Sequence, residues 1–203
     1  WSRPEVEGRL DVLFVDEAGQ FSLANAMAVA PAARSLVLLG DPQQLAQPLQ
    51  GSHPPGAEQS ALGHVLGAGQ VIRDDVGLFL TDTWRLHPAV RQFTSEVFYE
   101  GQMGGEPSLE AQAVHGLGPA DGTGIRWVTI DHPGDTTESP EEAEAIVAIV
   151  RELLESHATW TNRHGVTAEM GAEDVLVVAP YNAHVERIAG ALKGAGYAGV
   201  RVG

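Results

Sequence analysis

The chain has 203 residues, 27 acidic side chains against 12 basic ones, a formal net charge of −15 and no cysteine. Without thiols there is no disulfide framework, no thiolate nucleophile and no Cys-ligated metal site, so nothing calls for an oxidising compartment and a cytoplasmic location is expected. The acidic balance argues against broad electrostatic binding of nucleic acid, which needs a Lys- and Arg-rich face, and no apolar run approaches the roughly 20 residues of a membrane span.

Leu10–Val15 is an apolar, β-branched-rich run bounded by acidic residues, which predicts a strand buried on both faces. Ser22 caps a predicted helix over 23–30 that Pro31 and Arg34 end, and residues 36–39 read as a second buried strand closed by Gly40. After a Gly- and Pro-rich loop over 50–56, a helix over 58–66 leads to a third strand at 78–81. Pro88 opens a helix running to Tyr99. The stretch 101–124, rich in Gly, Pro and Gln and without periodicity, reads as a domain boundary or exposed insertion. The alternation then resumes with a strand at 125–130, a helix from Pro140 to about His157, a strand at 175–179, a helix over 182–193 and a closing strand at 200–202. In the long helix Ile146, Val147, Ile149, Val150, Leu153 and Leu154 form the apolar stripe, and Ser139 with Glu142 matches a capping box. Strand and helix in alternation predict an α/β fold with parallel sheets.

The chemistry-bearing residues fall at the predicted strand ends. Asp16 and Glu17 follow the first strand, at the carboxyl edge where open α/β sheets bind ligands. An Asp in that position can hold Mg2+ through water, and the adjacent Glu can take a proton from an attacking water; a solvated strand end is the plain alternative. The next strand end carries Gly40-Asp41-Pro42-Gln43-Gln44-Leu45, which puts Asp16 and Asp41 at adjacent carboxyl ends. Gly40 permits a tight turn, Pro42 stiffens it, and a Gln amide can hold a water or a phosphate oxygen. After the third predicted strand, Trp84 offers a face for stacking and Arg85 a guanidinium for a γ-phosphate, or the two form a packed cation–π pair. The eight histidines lack metal-ligand spacing and read as surface or packing residues, and Phe98-Tyr99 reads first as a core anchor.

Taken in order, Asp16-Glu17-Ala18-Gly19-Gln20, Gly40-Asp41-Pro42-Gln43-Gln44-Leu45, Trp84-Arg85-Leu86-His87-Pro88 with Phe98-Tyr99-Glu100-Gly101, and Ala179-Pro180-Tyr181-Asn182 resemble the superfamily-1 helicases. The resemblance is strongest to the 5′-to-3′ branch that contains the nonsense-mediated-decay RNA helicase and the Okazaki-fragment nuclease-helicase. It implies RecA-like parallel sheets belonging to parts of two helicase domains. Residues 1–83 would close the first, 84–124 would carry the arginine motif, a helix and a Gly/Pro-rich connection, and 125–203 would open the second. It implies ATP and Mg2+ as cofactors, single-stranded DNA or RNA as partner, no membrane, and room for a fused nuclease or other domain elsewhere in a longer protein. By position, it implies that Asp16 coordinates Mg2+, Glu17 activates water, Gln44 senses the γ-phosphate, Asp41 belongs to the cofactor-binding set, Trp84 stacks near adenine and Arg85 is an arginine finger. Pro180, Tyr181 and His184 would contact nucleic acid, with Ala179 and His184 standing where the family has Thr and Gln. The phosphate-cradling Gly-Lys-Ser or Gly-Lys-Thr is missing, because the only lysine, Lys193, precedes Gly194. The expectation is therefore an internal fragment of an ATP-dependent helicase or translocase, inactive alone because positioning and electrostatics are nearly the whole catalysis of phosphoryl transfer. The rivals are a catalytically silent helicase-fold scaffold for a protein partner and a different α/β nucleotide enzyme. The joint presence of Asp16, Glu17, Gln44 and Arg85 argues against the first, and the Trp-Arg pair argues against the second.

Overall fold

The computed structural model describes residues 3–44, 56, 59–132, 134 and 136–203. They form two compact units, one of Trp1–Thr81 with Thr94–Met103, the other of Asp82–Phe93 with Gly104–Gly203. No described helix is long and apolar enough to cross a membrane.

The first unit is built on a strand, helix, strand unit. The strands β1 (Leu10–Val15) and β2 (Ala33–Leu38) pair in parallel, Leu10 opposite Ala33 and Val15 opposite Leu38, joined through helix α1 (Leu23–Val29). Ser22 caps α1 as predicted, its Oγ accepting from Asn25 N at 3.2 Å. Pro31 then turns the chain into a short 3-10 segment, Ala30–Ala32, so β2 begins at residue 33 rather than 36. Ser60 caps α2 (Ala61–Leu66) in the same way through Gly63 N. The helix was expected from residue 58, but it begins at Ala61, after Gln59 and the cap Ser60. Residues 57 and 58, and 45–55, which include Leu45 and most of the Gly/Pro loop, lie outside the described residues. The core joins Val15, Ala18 and Leu62, with Leu13, Phe21 and Leu38 packed against them.

Three expectations for this unit are corrected. Strand β1 is not buried on both faces: Val15 is inside, but Phe14 is 64% exposed. Nor is β2 the buried strand expected at 36–39, since Leu36 and Leu39 are exposed and the strand ends at Leu38. A strand is buried on both faces only where a layer packs on each, and apolar composition alone does not supply that second layer. Residues 78–81 form no strand, and Leu78 and Leu80 are 80% and 81% exposed. Backbone polar groups become a strand only where a neighbour accepts and donates, and among the described residues that pairing begins one residue later.

That pairing opens the second unit, where β3 (Asp82–Thr83) runs parallel to β4 (Gly104–Gly105). Helix α3 (Pro88–Phe98) follows β3, its residues divided between the two units. The stretch 101–124, expected to be irregular, holds β4 and β5 (Ala113–His115) with 3-10 turns at Pro107–Ala111 and Gly118–Ala120. Strand β5 pairs antiparallel with β6 (Thr159–Thr161), which pairs antiparallel with β7 (Thr167–Glu169). This three-stranded sheet departs from an all-parallel reading. Its strands are too short and too polar to show a period, and its hairpin turns on Asn162, whose Oδ1 accepts from His164 N and Val166 N.

The remaining elements are α4 (Pro140–Glu155), β8 (Leu176–Val177), α5 (Asn182–Gly194) and β9 (Arg201–Val202), with β8 parallel to β9. The core here joins Ala143, Val150, Ile188, Leu192 and Val200. The predicted strand at 125–130 is not formed, and Trp127 is 90% exposed. The capping box is half made: Ser139 Oγ accepts from Glu142 N at 3.1 Å, but the Glu142 carboxylate turns to His132 Nε2 at 3.1 Å instead of back to the cap.

Candidate functional site

Two loops at the carboxyl ends of β1 and β2 are locked together. Leu39 N donates to Val15 O and Ala18 N to Leu39 O, both at 2.8 Å, which carries the parallel ladder past the strand ends. Contact between the loops is close enough to demand glycine on both sides. A Cβ on Gly40, at φ +152°, would stand 2.7 Å from Ala18 N, and one on Gly19 would run into the carbonyl oxygen of Asp41. Gln20 Nε2 donates to Gln44 Oε1 at 3.1 Å and closes the junction with side chains. The structure thus brings Asp16, Glu17, Asp41 and Gln44 onto one edge of the first unit.

The first loop is a tight turn. Asp16 Oδ1 accepts from Glu17 N at 3.0 Å, and Gln20 N donates to Glu17 O at 2.8 Å. Glu17 sits at φ 53°, in the left-handed region that costs a non-glycine residue about 1 kcal/mol or more. The carboxylates of Asp16 and Glu17 are both exposed. In the second loop Asp41 is half-buried and engaged through both oxygens. Oδ1 accepts from Gln43 N at 2.9 Å, and Oδ2 accepts from the hydroxyl of Tyr99 at 2.6 Å. Burial pushes the Tyr99 phenol well above its ordinary pKa, reinforced by its hydrogen bond to Asp41 and by that carboxylate's charge. Among the described residues no group of three or more His, Asp or Glu side chains is arranged to hold a metal ion.

Trp84 and Arg85 lie in the second unit, between β3 and α3. Thr83 Oγ1 accepts from Arg85 N at 3.2 Å and from Leu86 N at 3.4 Å, and His87 Nδ1 accepts from Ala89 N at the start of α3. Arg85 is exposed. Trp84 is 65% exposed, and the cation over its ring is the guanidinium of Arg163, 5.9 Å from the centroid, supplied by the β6–β7 turn. Pro180 and Tyr181 are exposed between β8 and α5. His184, in the first turn of α5, is buried, its Nε2 3.6 Å from Glu142 Oε2 and without a hydrogen-bond partner. Sequence reasoning missed Gln20, Tyr99 and Arg163 as partners of the candidate residues. Gln20 and Tyr99 carried a signal, their places in Asp16-Glu17-Ala18-Gly19-Gln20 and in Phe98-Tyr99-Glu100-Gly101, and Arg163 carried none.

Residues 58–202 match a protein family described as "AAA domain". The chain is similar to the DNA-binding protein SMUBP-2 of Mesocricetus auratus, 28% identical over 193 residues that make up 89% of this chain and 18% of that protein. It is similar to the probable helicase MAGATAMA 3 of Arabidopsis thaliana, 25% identical over 188 residues, 87% of this chain and 21% of that protein. It is also similar to the putative ATP-dependent RNA helicase ECM32 of Saccharomyces cerevisiae, 27% identical over 185 residues, 85% of this chain and 15% of that protein. The chain spans about a fifth of the length of these curated relatives.

Proposed function

The chain belongs to the AAA domain family, within the 5′-to-3′ branch of the superfamily-1 helicases, and from that membership we propose that it forms part of an enzyme coupling hydrolysis of Mg-bound ATP to movement on single-stranded DNA or RNA. The observation that carries the proposal is the junction of the Asp16–Gln20 turn with the Gly40–Gln44 loop. Phosphoryl transfer asks a protein mainly to position groups and stabilise charge, and two polar loops held in register by backbone contact are suited to that.

Asp16 is the residue that would hold Mg2+, and a single carboxylate fits that ion, which keeps several waters and takes phosphate oxygens in preference to an all-protein cage. The ion would supply charge neutralisation on the phosphates. Glu17 accepts the proton of the attacking water. Gln44, fixed by Gln20, presents a neutral amide to a γ-phosphate oxygen or to that water. Asp41 belongs to the cofactor-binding set by holding the loop that carries Gln44. Arg85 brings positive charge to the transferring phosphoryl group, and Trp84 stacks a base once Arg163 gives up the ring face. Pro180 and Tyr181 offer an exposed surface to nucleic acid; His184, expected with them among those contacts, is buried in the first turn of α5 and is left off that surface. These 203 residues contain no phosphate-loop lysine and by themselves do not turn over ATP.

Phosphate release by the intact protein, with and without single-stranded nucleic acid, tests the reading. Glu17→Gln is expected to lower turnover by about 10² or more while nucleotide still binds, because it removes the base and keeps the shape. Unchanged turnover would remove Glu17 from the chemistry, and a wild-type protein with no turnover would favour the scaffold reading.

A further inference from the structure

The end of α3 and the two residues after it, Tyr99 and Glu100, reach the Gly40–Gln44 loop by two separate routes, both within the first unit. Tyr99 is 8% exposed, stacked on Phe79 with ring centroids 5.9 Å apart, and its hydroxyl donates to Asp41 Oδ2. The second route runs through Gln70. Glu100 Oε1 accepts from Gln70 N at 3.0 Å, Gln70 Nε2 donates to Val97 O at 3.2 Å, and Gln70 O accepts from Gln43 Nε2 at 3.1 Å. The end of α3 is itself held firmly. Gly101 N donates to Ser95 O, Met103 N donates to the buried Ser95 Oγ, and Glu100 takes φ 54° to make the turn.

We propose that Tyr99 and Glu100 are positioning residues for the Gly40–Gln44 loop, clamping Asp41 directly and Gln43 through Gln70 so that Gln44 meets Gln20 in a single arrangement. The inference rests on the reading of Gln44 as a group that acts at the γ-phosphate. Neither residue touches the reacting atoms. Asp41 shows why two restraints are needed. One carboxylate oxygen caps Gln43 N and fixes the turn, but the carboxylate can rotate about its own bonds unless the other oxygen is held, and the Tyr99 hydroxyl holds it. A phenol rigidly stacked on Phe79 loses little entropy in making that bond, which is charge-assisted and therefore among the stronger kinds. Gln43 and Gln44 are adjacent, so tethering the Gln43 side chain to Gln70 limits the rotation that would carry Gln44 away from Gln20.

The test uses the intact protein, with kcat and KM for ATP measured at saturating single-stranded nucleic acid and amide exchange followed at Gln43. Tyr99→Phe removes one oxygen and is expected to lower kcat about tenfold or more with KM within about twofold, because it loosens a group used in the transition state and not in ground-state binding. The Gln43 amide should exchange faster, while those of Ala18 and Leu39, in the ladder, should not change. Glu100→Ala, at an exposed position, should produce the same faster exchange. Tyr99→Phe combined with Asp41→Ala should be no worse than Asp41→Ala alone. Wild-type kcat in Tyr99→Phe, or losses that add, would overturn the proposal. If the intact protein has no ATP turnover, the functional reading fails and Gln43 exchange alone decides the clamp: faster in both variants upholds it, unchanged overturns it.

Discussion

The two units bury different things. In the first, the side chains most completely removed from solvent among the described residues are alanines, at positions 18, 26, 32 and 61, and hydrogen bonds among Asp16, Gln20, Asp41, Gln43, Gln44, Gln70, Tyr99 and Glu100 tie the loops. In the second, the largest fully buried side chains among the described residues are Leu109, Val150, Ile188 and Leu192. Burying an alanine gains little transfer free energy, whereas each buried leucine or isoleucine contributes about 1.5–3 kcal/mol. The first unit is therefore organised by polar geometry around its loops and the second by a dry aliphatic core. A polar-organised region has more to lose in activity than in stability, and the aliphatic one the reverse.

The strongest challenge to that contrast is Arg85, an exposed catalytic candidate carried by the well-packed unit. Arg85→Ala is expected to lower ATP turnover of the intact protein by about 10³ to 10⁵ while the melting temperature barely moves, because its charge is used in the transition state alone. Arg85→Lys should rescue poorly, since an ammonium lacks the planar fork. A destabilised variant with near-normal turnover in its folded fraction would instead mark Arg85 as a packing residue.

Truncation of each core measures the contrast itself. Leu192→Ala is expected to cost the second unit about 2–5 kcal/mol, the usual range for a leucine truncated inside a packed core. Val15→Ala in the first unit should cost about 1–2 kcal/mol, from roughly two methyl groups and a site that collapses easily against alanines. Hydrogen exchange resolved by unit reads both, and equal losses would show that the two cores are alike.

The smallest effect belongs to the surface of the second unit. Arg187 forms a two-point ion pair with Glu138, Nε to Oε2 at 2.8 Å and the second guanidinium nitrogen to Oε1 at 2.9 Å. The hydrogen bonds from Arg187 hold the Glu138 carboxyl below its usual range. A carboxyl lowered in the folded state contributes stability above its unfolded pKa, about 4.3, and loses it as pH falls through the lower folded value. Thermal melts between neutral pH and acid should show that loss in the wild type and not in Glu138→Gln, and high salt should shrink the difference. Identical pH profiles would mean that the pair is merely solvated.

How much was legible in the sequence follows the range of the interactions involved. Ser22 and Ser139 as caps, the bodies of α1, α3, α4 and α5, and the placing of Asp16 and Asp41 beyond two neighbouring parallel strands were determined by the sequence, because caps and amphipathic periods act over a few residues. The family was legible for a similar reason, since ordered short motifs survive whatever surrounds them. Only the tertiary structure decided whether residues 78–81 and 125–130 would be strands, since an apolar run becomes a strand only with a partner for its backbone. The three-residue strands of the β5–β6–β7 sheet were likewise fixed by one another and not by any pattern of their own. So were the partners of the candidate site. Tyr99 stands 58 residues from Asp41, Arg163 lies far along the chain from Trp84, and Glu142 turned from its cap toward His132 and His184. Such contacts are set by how folded elements meet, and no spacing in the chain encodes that.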